Sequence, residues 1–121
     1  MPDVTSLQQV YRSQLQGHQV QHSDVRHLII IDGVIVPCTP AEYDLLLPLL
    51  YRAGEAVSFP RLLGLAEQQP LTRSIRRGLT QHMSRLRARL WPFGLDILCL
   101  TGYGYLLLAR SNEQNEQAAG T

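Results

Sequence analysis

Lysine is absent from this 121-residue chain, so every permanently cationic side chain is an arginine. Cysteine is nearly absent, with only Cys38 and Cys99, each inside an apolar run. Two such thiols make neither a disulfide framework nor a metal pattern, and both are expected to be small buried hydrophobes in a reducing compartment. No apolar run approaches the roughly 20 residues that a membrane-crossing helix needs, and no charged-then-apolar leader opens the sequence. A cytoplasmic location with no membrane partner is therefore expected. Enzymatic patterns are missing as well. There is no nucleophile–base spacing, phosphate-cradling glycine loop or carboxylate pair, and Gly102-Tyr103-Gly104 opens no helix. No enzyme activity, cofactor or metal is expected. His18 and His22 are four apart, but Gly17 argues against a helix that would align them as ligands.

The absence that carries furthest is of acid. Between Gln68 and Leu95 there is no Asp or Glu, while Arg73, Arg76, Arg77, Arg85, Arg87 and Arg89 all fall there. The chain as a whole carries a formal charge of only +1. Its remainder is thus net acidic, and the positive field is focused on one segment. At about 100° per residue, Ile75, Leu79, Met83, Leu86 and Leu90 make one apolar helical stripe. The opposite side presents Arg77, Gln81, Ser84 and Ala88, flanked by Arg73, Thr80 and Arg85. Arginine and glutamine can read base edges, and small residues such as Ser84 and Ala88 let the backbone approach, so this helix suits the major groove of DNA.

The chain has room for one domain. Residues 1–26 form a polar, glutamine-rich N-terminal extension. Within it Leu7, Val10, Tyr11 and Leu15 fall at helical spacing, and a short amphipathic helix ending at Gly17 is expected. Such a helix can pack on its own domain or on a second subunit, which makes a homodimer a candidate assembly. Residues 28–36 are expected to form a β-hairpin turning at Asp32-Gly33. Thr39-Pro40-Ala41-Glu42 combines a capping box with proline at the first helical position. That helix is expected to run to about Gly54, with Pro48 kinking it or costing about 3 kcal/mol. A short strand is expected at residues 55–57, a second helix capped by Ser58 from Phe59 to about Glu67, and the basic helix over residues 72–90. An apolar hairpin over residues 95–108 follows, turning at Thr101-Gly102. Residues 111–121 have nothing to bury and are expected to be disordered.

In order and spacing, Cys38–Leu46, Gly54–Ser58, His82–Leu90 and Gly102–Tyr105 resemble the DNA-binding effector domain of the OmpR/PhoB response regulators. The resemblance covers about residues 27–109, and the winged-helix domain is expected over residues 27–110. It implies an α+β winged helix-turn-helix: three helices, a short N-terminal β-hairpin or sheet, and a C-terminal β-hairpin wing. It implies that the third helix enters the major groove of double-stranded DNA, with the wing on the adjacent backbone or minor groove. Arg77, Thr80, Gln81, Ser84 and Arg85 match groove-facing positions of the family, and His82 matches a phosphate-contacting one. Arg87 and Arg89 match the basic positions of its Leu-Arg-x-basic-Leu signature, and Arg87 can alternatively pair with Glu42. With Arg73 and Arg76 at the helix start and Thr101 and Tyr103 in the wing, these residues complete the expected DNA-binding set.

Four departures from the family pattern matter. Thr101 stands where the wing usually carries arginine, and Leu106 where a basic residue is common. The aromatic residue usual near Ala66 and Glu67 is missing, which puts an RNA polymerase contact in doubt. No receiver domain accompanies the motifs, so phosphorylation input in the usual family manner is not expected. The leading expectation is a sequence-specific DNA-binding transcriptional regulator. The alternative is a winged-helix module for protein–protein interaction that has lost DNA binding, favoured by the near-zero net charge and the leucine-rich wing strand Leu106–Leu108.

Overall fold

The computed structural model describes residues 4–6, 15, 17–66 and 70–110. Strands β1 (Val4–Ser6), β2 (Val20–Ser23), β3 (Leu28–Ile31) and β4 (Val34–Val36) form a four-stranded antiparallel meander in sequence order. The β3–β4 hairpin turns at Asp32 and Gly33, both at positive φ (53° and 79°), as a two-residue turn with the right twist requires. The sheet takes in β1 and β2, two strands that the sequence reading leaves in the polar N-terminal segment. The reason is the pairing itself: Val20 lies opposite Ile31 and His22 opposite Ile29 on the core side, and Ser23 is buried as well, while Gln21 faces water. The helix expected around residues 7–15 lies outside the described residues, except for Leu15, which is fully buried in the core.

Helix α1 (Pro40–Tyr51) begins on the expected capping box: the Thr39 hydroxyl accepts from the Glu42 amide at 3.2 Å, and the Thr39 amide donates to the Glu42 carboxylate at 3.0 Å. The helix runs through Pro48 and ends at Tyr51. Standing in the last turn, Pro48 removes a single intrahelical bond. Short strand β5 (Val57–Ser58) leads into α2 (Phe59–Leu63), capped by the Ser58 side chain. The expectation that α2 continues to Glu67 is corrected. Gly64 adopts a left-handed conformation (φ 67°) and closes the helix, the Leu65 amide bonding back to the Pro60 carbonyl at 2.8 Å.

Helix α3 (Arg73–Leu90) starts at the Thr72 cap and passes into a 3-10 turn at Trp91–Phe93. Strands β6 (Leu95–Leu100) and β7 (Gly104–Ala109) form the C-terminal hairpin, and β7 also pairs with β5, giving a sheet in the order β5-β7-β6. Gly104 is what permits that pairing, because a Cβ there would stand 1.8 Å from the Val57 carbonyl oxygen. Burial along β6 stops at Ile97, where the strand leaves the body for the wing. Cys99 is consequently exposed and Cys38 half-buried, which corrects the expectation that both are buried. Burial pushes the Cys38 thiol up to about 11.

One continuous core joins both sheets and all three helices through Ile29, Ile31, Leu46, Leu49, Leu62, Leu86, Leu90, Leu95 and Leu107. The N-terminal sheet is fastened onto α1 by a polar cluster. Buried His22 places Nδ1 3.1 Å from the Tyr43 hydroxyl and Nε2 2.9 Å from the Tyr51 hydroxyl. Tyr43 in turn donates to Asp24, which holds the Asp24 carboxyl below its ordinary value. His18 has a different partner, Asp32, at 2.6 Å. Three helices with a wing at the C-terminal end make this an α+β winged helix-turn-helix fold.

Candidate nucleic-acid interface

The expected two-faced character of α3 is present in the structure. Leu79, Met83, Leu86 and Leu90 are buried and Ile75 is half-buried, whereas Arg73, Arg76, Arg77, Thr80, Gln81, Ser84, Arg85 and Ala88 are exposed. Each turn of the helix therefore presents at least one donor-rich side chain to solvent, separated from the next by small residues. The Thr80 hydroxyl donates to the Arg76 carbonyl at 2.9 Å, which fixes its rotamer on this surface.

The six arginines divide into two groups. Arg89 donates to the Glu42 carboxylate at 2.5 Å and to the Pro37 carbonyl at 2.9 Å. Arg87 donates from Nε to Asp96 Oδ1 at 2.7 Å, with Nη2 3.5 Å from Oδ2. The alternative pairing of Arg87 with Glu42 is thus corrected, because Arg89 holds that carboxylate. Among the described residues, Arg73, Arg76, Arg77 and Arg85 form no ion pair. The acid-free stretch of sequence is therefore only partly uncompensated in space.

Glu42 is 1% exposed. Burial works to raise its pKa, but the Thr39 amide and the Arg89 guanidinium outweigh burial and hold the carboxyl below the usual carboxylate range. His82 is half-buried, with Nδ1 3.9 Å from the other Glu42 oxygen. It lines a groove between α1, α2 and α3 together with Ala41, Asp44, Ser74 and Gly78.

In the wing, Thr101 and Tyr103 are exposed at the turn, Tyr103 by 52%. Phe59 of α2 meets the Tyr105 ring edge-on, with centroids 5.9 Å apart. Burial pushes the Tyr105 hydroxyl above its ordinary pKa. The hairpin presents no cation, and the one charge between Leu90 and Ala109 is Asp96. Asp96 is the residue that sequence reasoning missed, although a lone acid within an otherwise apolar strand was a visible signal. Of the loop assigned to polymerase contact, Ala66 is exposed and Glu67 lies outside the described residues.

A helix with one buried stripe, an exposed arginine, amide and hydroxyl face, and a hairpin beside it has the winged helix-turn-helix geometry of the OmpR/PhoB effector domains. No protein-family model matches the chain. The DNA-binding domain of CpxR from E. coli superposes with a TM-score of 0.58 at 25% identity, over 76% of this chain and 92% of that one. The RstA DNA-binding domain of Klebsiella pneumoniae, solved in complex with the RstA box, gives 0.53 at 22% identity, over 74% of this chain and 90% of that one. The DNA-binding domain of the response regulator AdeR, in complex with an intercistronic region, gives 0.56 at 19%, over 76% and 94%. Among curated proteins, the transcriptional activator protein PfeR of Pseudomonas aeruginosa is 38% identical over 91 residues, 73% of this chain. The match spans 28% of the length of PfeR.

Proposed function

We propose that this chain is a sequence-specific double-stranded DNA-binding protein that regulates transcription, with α3 in the major groove and the β6–β7 wing beside it. The observation that carries this reading is the exposed face of α3, where Arg73, Arg76, Arg77 and Arg85 stand without an acidic partner around Gln81 and Ser84. Exposed guanidinium groups without an acidic partner are suited to phosphates and guanine edges. The similar domains of RstA and AdeR were solved with DNA, and PfeR is named a transcriptional activator, in line with this reading. The DNA-binding unit is taken as residues 27–110 together with β1 and β2. A homodimer belongs to the same proposal, as does a cytoplasmic location, which suits two free thiols.

The test is binding to a pool of random duplexes at several salt concentrations. With Arg73, Arg76 and Arg77 on phosphate and Arg85 on a base, the log–log slope is expected to be about −2.7, so affinity falls roughly 40-fold between 50 and 200 mM salt. Selection from the same pool returns the site. The exposed apolar groups of the wing, Leu98 (39%) and Tyr103 (52%), favour a second reading as a protein-interaction module. Undetectable binding at low salt decides for that second reading.

The helix face also predicts a division of labour. Arg85 lies beside Gln81 and Ser84, where a guanidinium grips a base edge, whereas Arg73 sits at the helix start beside the backbone. Arg85→Ala is expected to cost about 1–3 kcal/mol and to blur one base position, while Arg73→Ala weakens all sequences alike. Equal, sequence-blind losses measured across a panel of site variants would refute base reading by this helix.

A further inference from the structure

Arg87 follows Thr80 and Ser84 along the wing-side flank of the exposed face of α3. Together with Cys99 and Tyr105 these residues line a cavity of about 320 Å³ between α3 and the wing. The Arg87 side chain is 54% exposed, so a phosphate oxygen can reach it. Its guanidinium is nevertheless held by Asp96 through Nε at 2.7 Å and Nη2 at 3.5 Å. The Asp96 residue is 8% exposed, and its Oδ1 also accepts from the Ile97 amide at 2.8 Å. The carboxylate is thus the fixed member of the pair and the arginine the accessible one. To a guanidinium fork, a carboxylate and a phosphate are alternative acceptors of the same geometry. The carboxylate is supplied by the same molecule, so a phosphate that is to take the Nε–Nη2 edge of the fork must displace it.

We infer that Asp96 is an intramolecular competitor that keeps Arg87 off the DNA backbone and so sets affinity below what the arginine content of α3 allows. This inference rests on the DNA-binding reading and concerns the regulation of that same surface. It gives the wing an electrostatic role opposite in sign to the one its position suggests. The only charge on the hairpin restrains the interface.

The test uses the full chain and a duplex selected from the random pool, titrated at several salt concentrations, with a thermal melt of every variant. Asp96→Asn keeps an acceptor beside the Ile97 amide and removes the charge. It is expected to steepen the log–log slope by about 0.9 and to tighten binding roughly five-fold at 50 mM salt. Adding Arg87→Gln to that variant is expected to cancel the gain. A folded Asp96→Asn chain with unchanged affinity and slope overturns the inference, as does a gain that survives the loss of Arg87. Weaker binding by the Asn variant also overturns it, since Asp96 would then be supporting Arg87 on phosphate.

A measurement on the wild type keeps the question open to refutation if the variants do not fold. In a duplex titration followed by NMR, the Arg87 Nε–H resonance is expected to stay in place while those of Arg77 and Arg85 move. Movement of all three to the same extent refutes the competitor. A wild type that binds no duplex at low salt removes the DNA reading itself, an outcome seen before any variant is made.

Discussion

Gly104→Ala is expected to destabilise the protein by about 3 kcal/mol or more. The added Cβ would lie 1.8 Å from the Val57 carbonyl oxygen and 2.8 Å from the Ser58 Cα. Both are backbone atoms of the neighbouring strand, so no side-chain rotation relieves the overlap. Either β5 leaves β7, or the strand carrying Tyr105 moves off Phe59. Gly102, two residues earlier, makes the internal control. It has a φ of +78° with open space around its Cβ position. Gly102→Ala therefore meets only left-handed strain, roughly 1–2 kcal/mol. Urea unfolding of the two variants separates close approach from backbone strain. A Gly104→Ala loss no larger than that of Gly102→Ala would mean that β5 and β7 are not packed as described.

Arg89→Ala is expected to cost about 3 kcal/mol, because it strands a carboxylate whose residue is 1% exposed. Glu42 belongs to the α1 capping box and to the tie between α1 and α3, so its charge cannot simply turn to water. Changing both partners together, Glu42→Leu with Arg89→Met, is expected to recover part of the loss, since no unpaired charge then remains buried. The acid sensitivity of the wild type follows from the same site. The folded-state pKa of Glu42 is lowered. Its contribution is therefore complete above the unfolded carboxylate value of about 4.3 and is lost as pH falls through the lower folded value. In Arg89→Ala that acid-dependent contribution is expected to shrink, which denaturation series at pH 3 to 6 would show. A variant as stable as wild type at neutral pH would count against the pair.

What the sequence disclosed was local. Thr39-Pro40 with Glu42, Asp32-Gly33 and Thr72 each specify a cap or turn from neighbouring residues, and the stripe from Leu79 to Leu90 follows from helical period alone. The exposure of Arg77, Gln81, Ser84 and Arg85 follows from the same period. The strands β1 and β2 were hidden because nothing in Val4–Ser6 or Val20–Ser23 announces a strand until Ile29 and Ile31 are placed beside β2. The end of α2 at Gly64 was written in the chain but is easily overridden by the helical residues after it. At the interface, periodicity could not separate committed arginines from free ones. The carboxylates that occupy Arg87 and Arg89 come from β6 and from the buried start of α1, and only the tertiary fold brings them together.

The two sheets differ in how far along the chain each strand finds its partner, and that difference sets an order of assembly. The N-terminal meander pairs every strand with the next in sequence, the tightest closure being Ile31 with Val34 across a two-residue turn. By contrast, β5 must wait for β7, because Val57 pairs with Tyr105 and Ser58 with Gly104 across both α2 and α3. Loop-closure entropy makes such distant pairing slow and late, whereas adjacent strands close cheaply. During synthesis the meander and α1 can therefore form before α3 is complete, and the wing sheet closes only when the final strand has emerged. Until then the apolar stripe of α3 lacks the strands that cover it. The described domain is thus finished from its C-terminal side, by the strand that carries the smallest side chain at the tightest point.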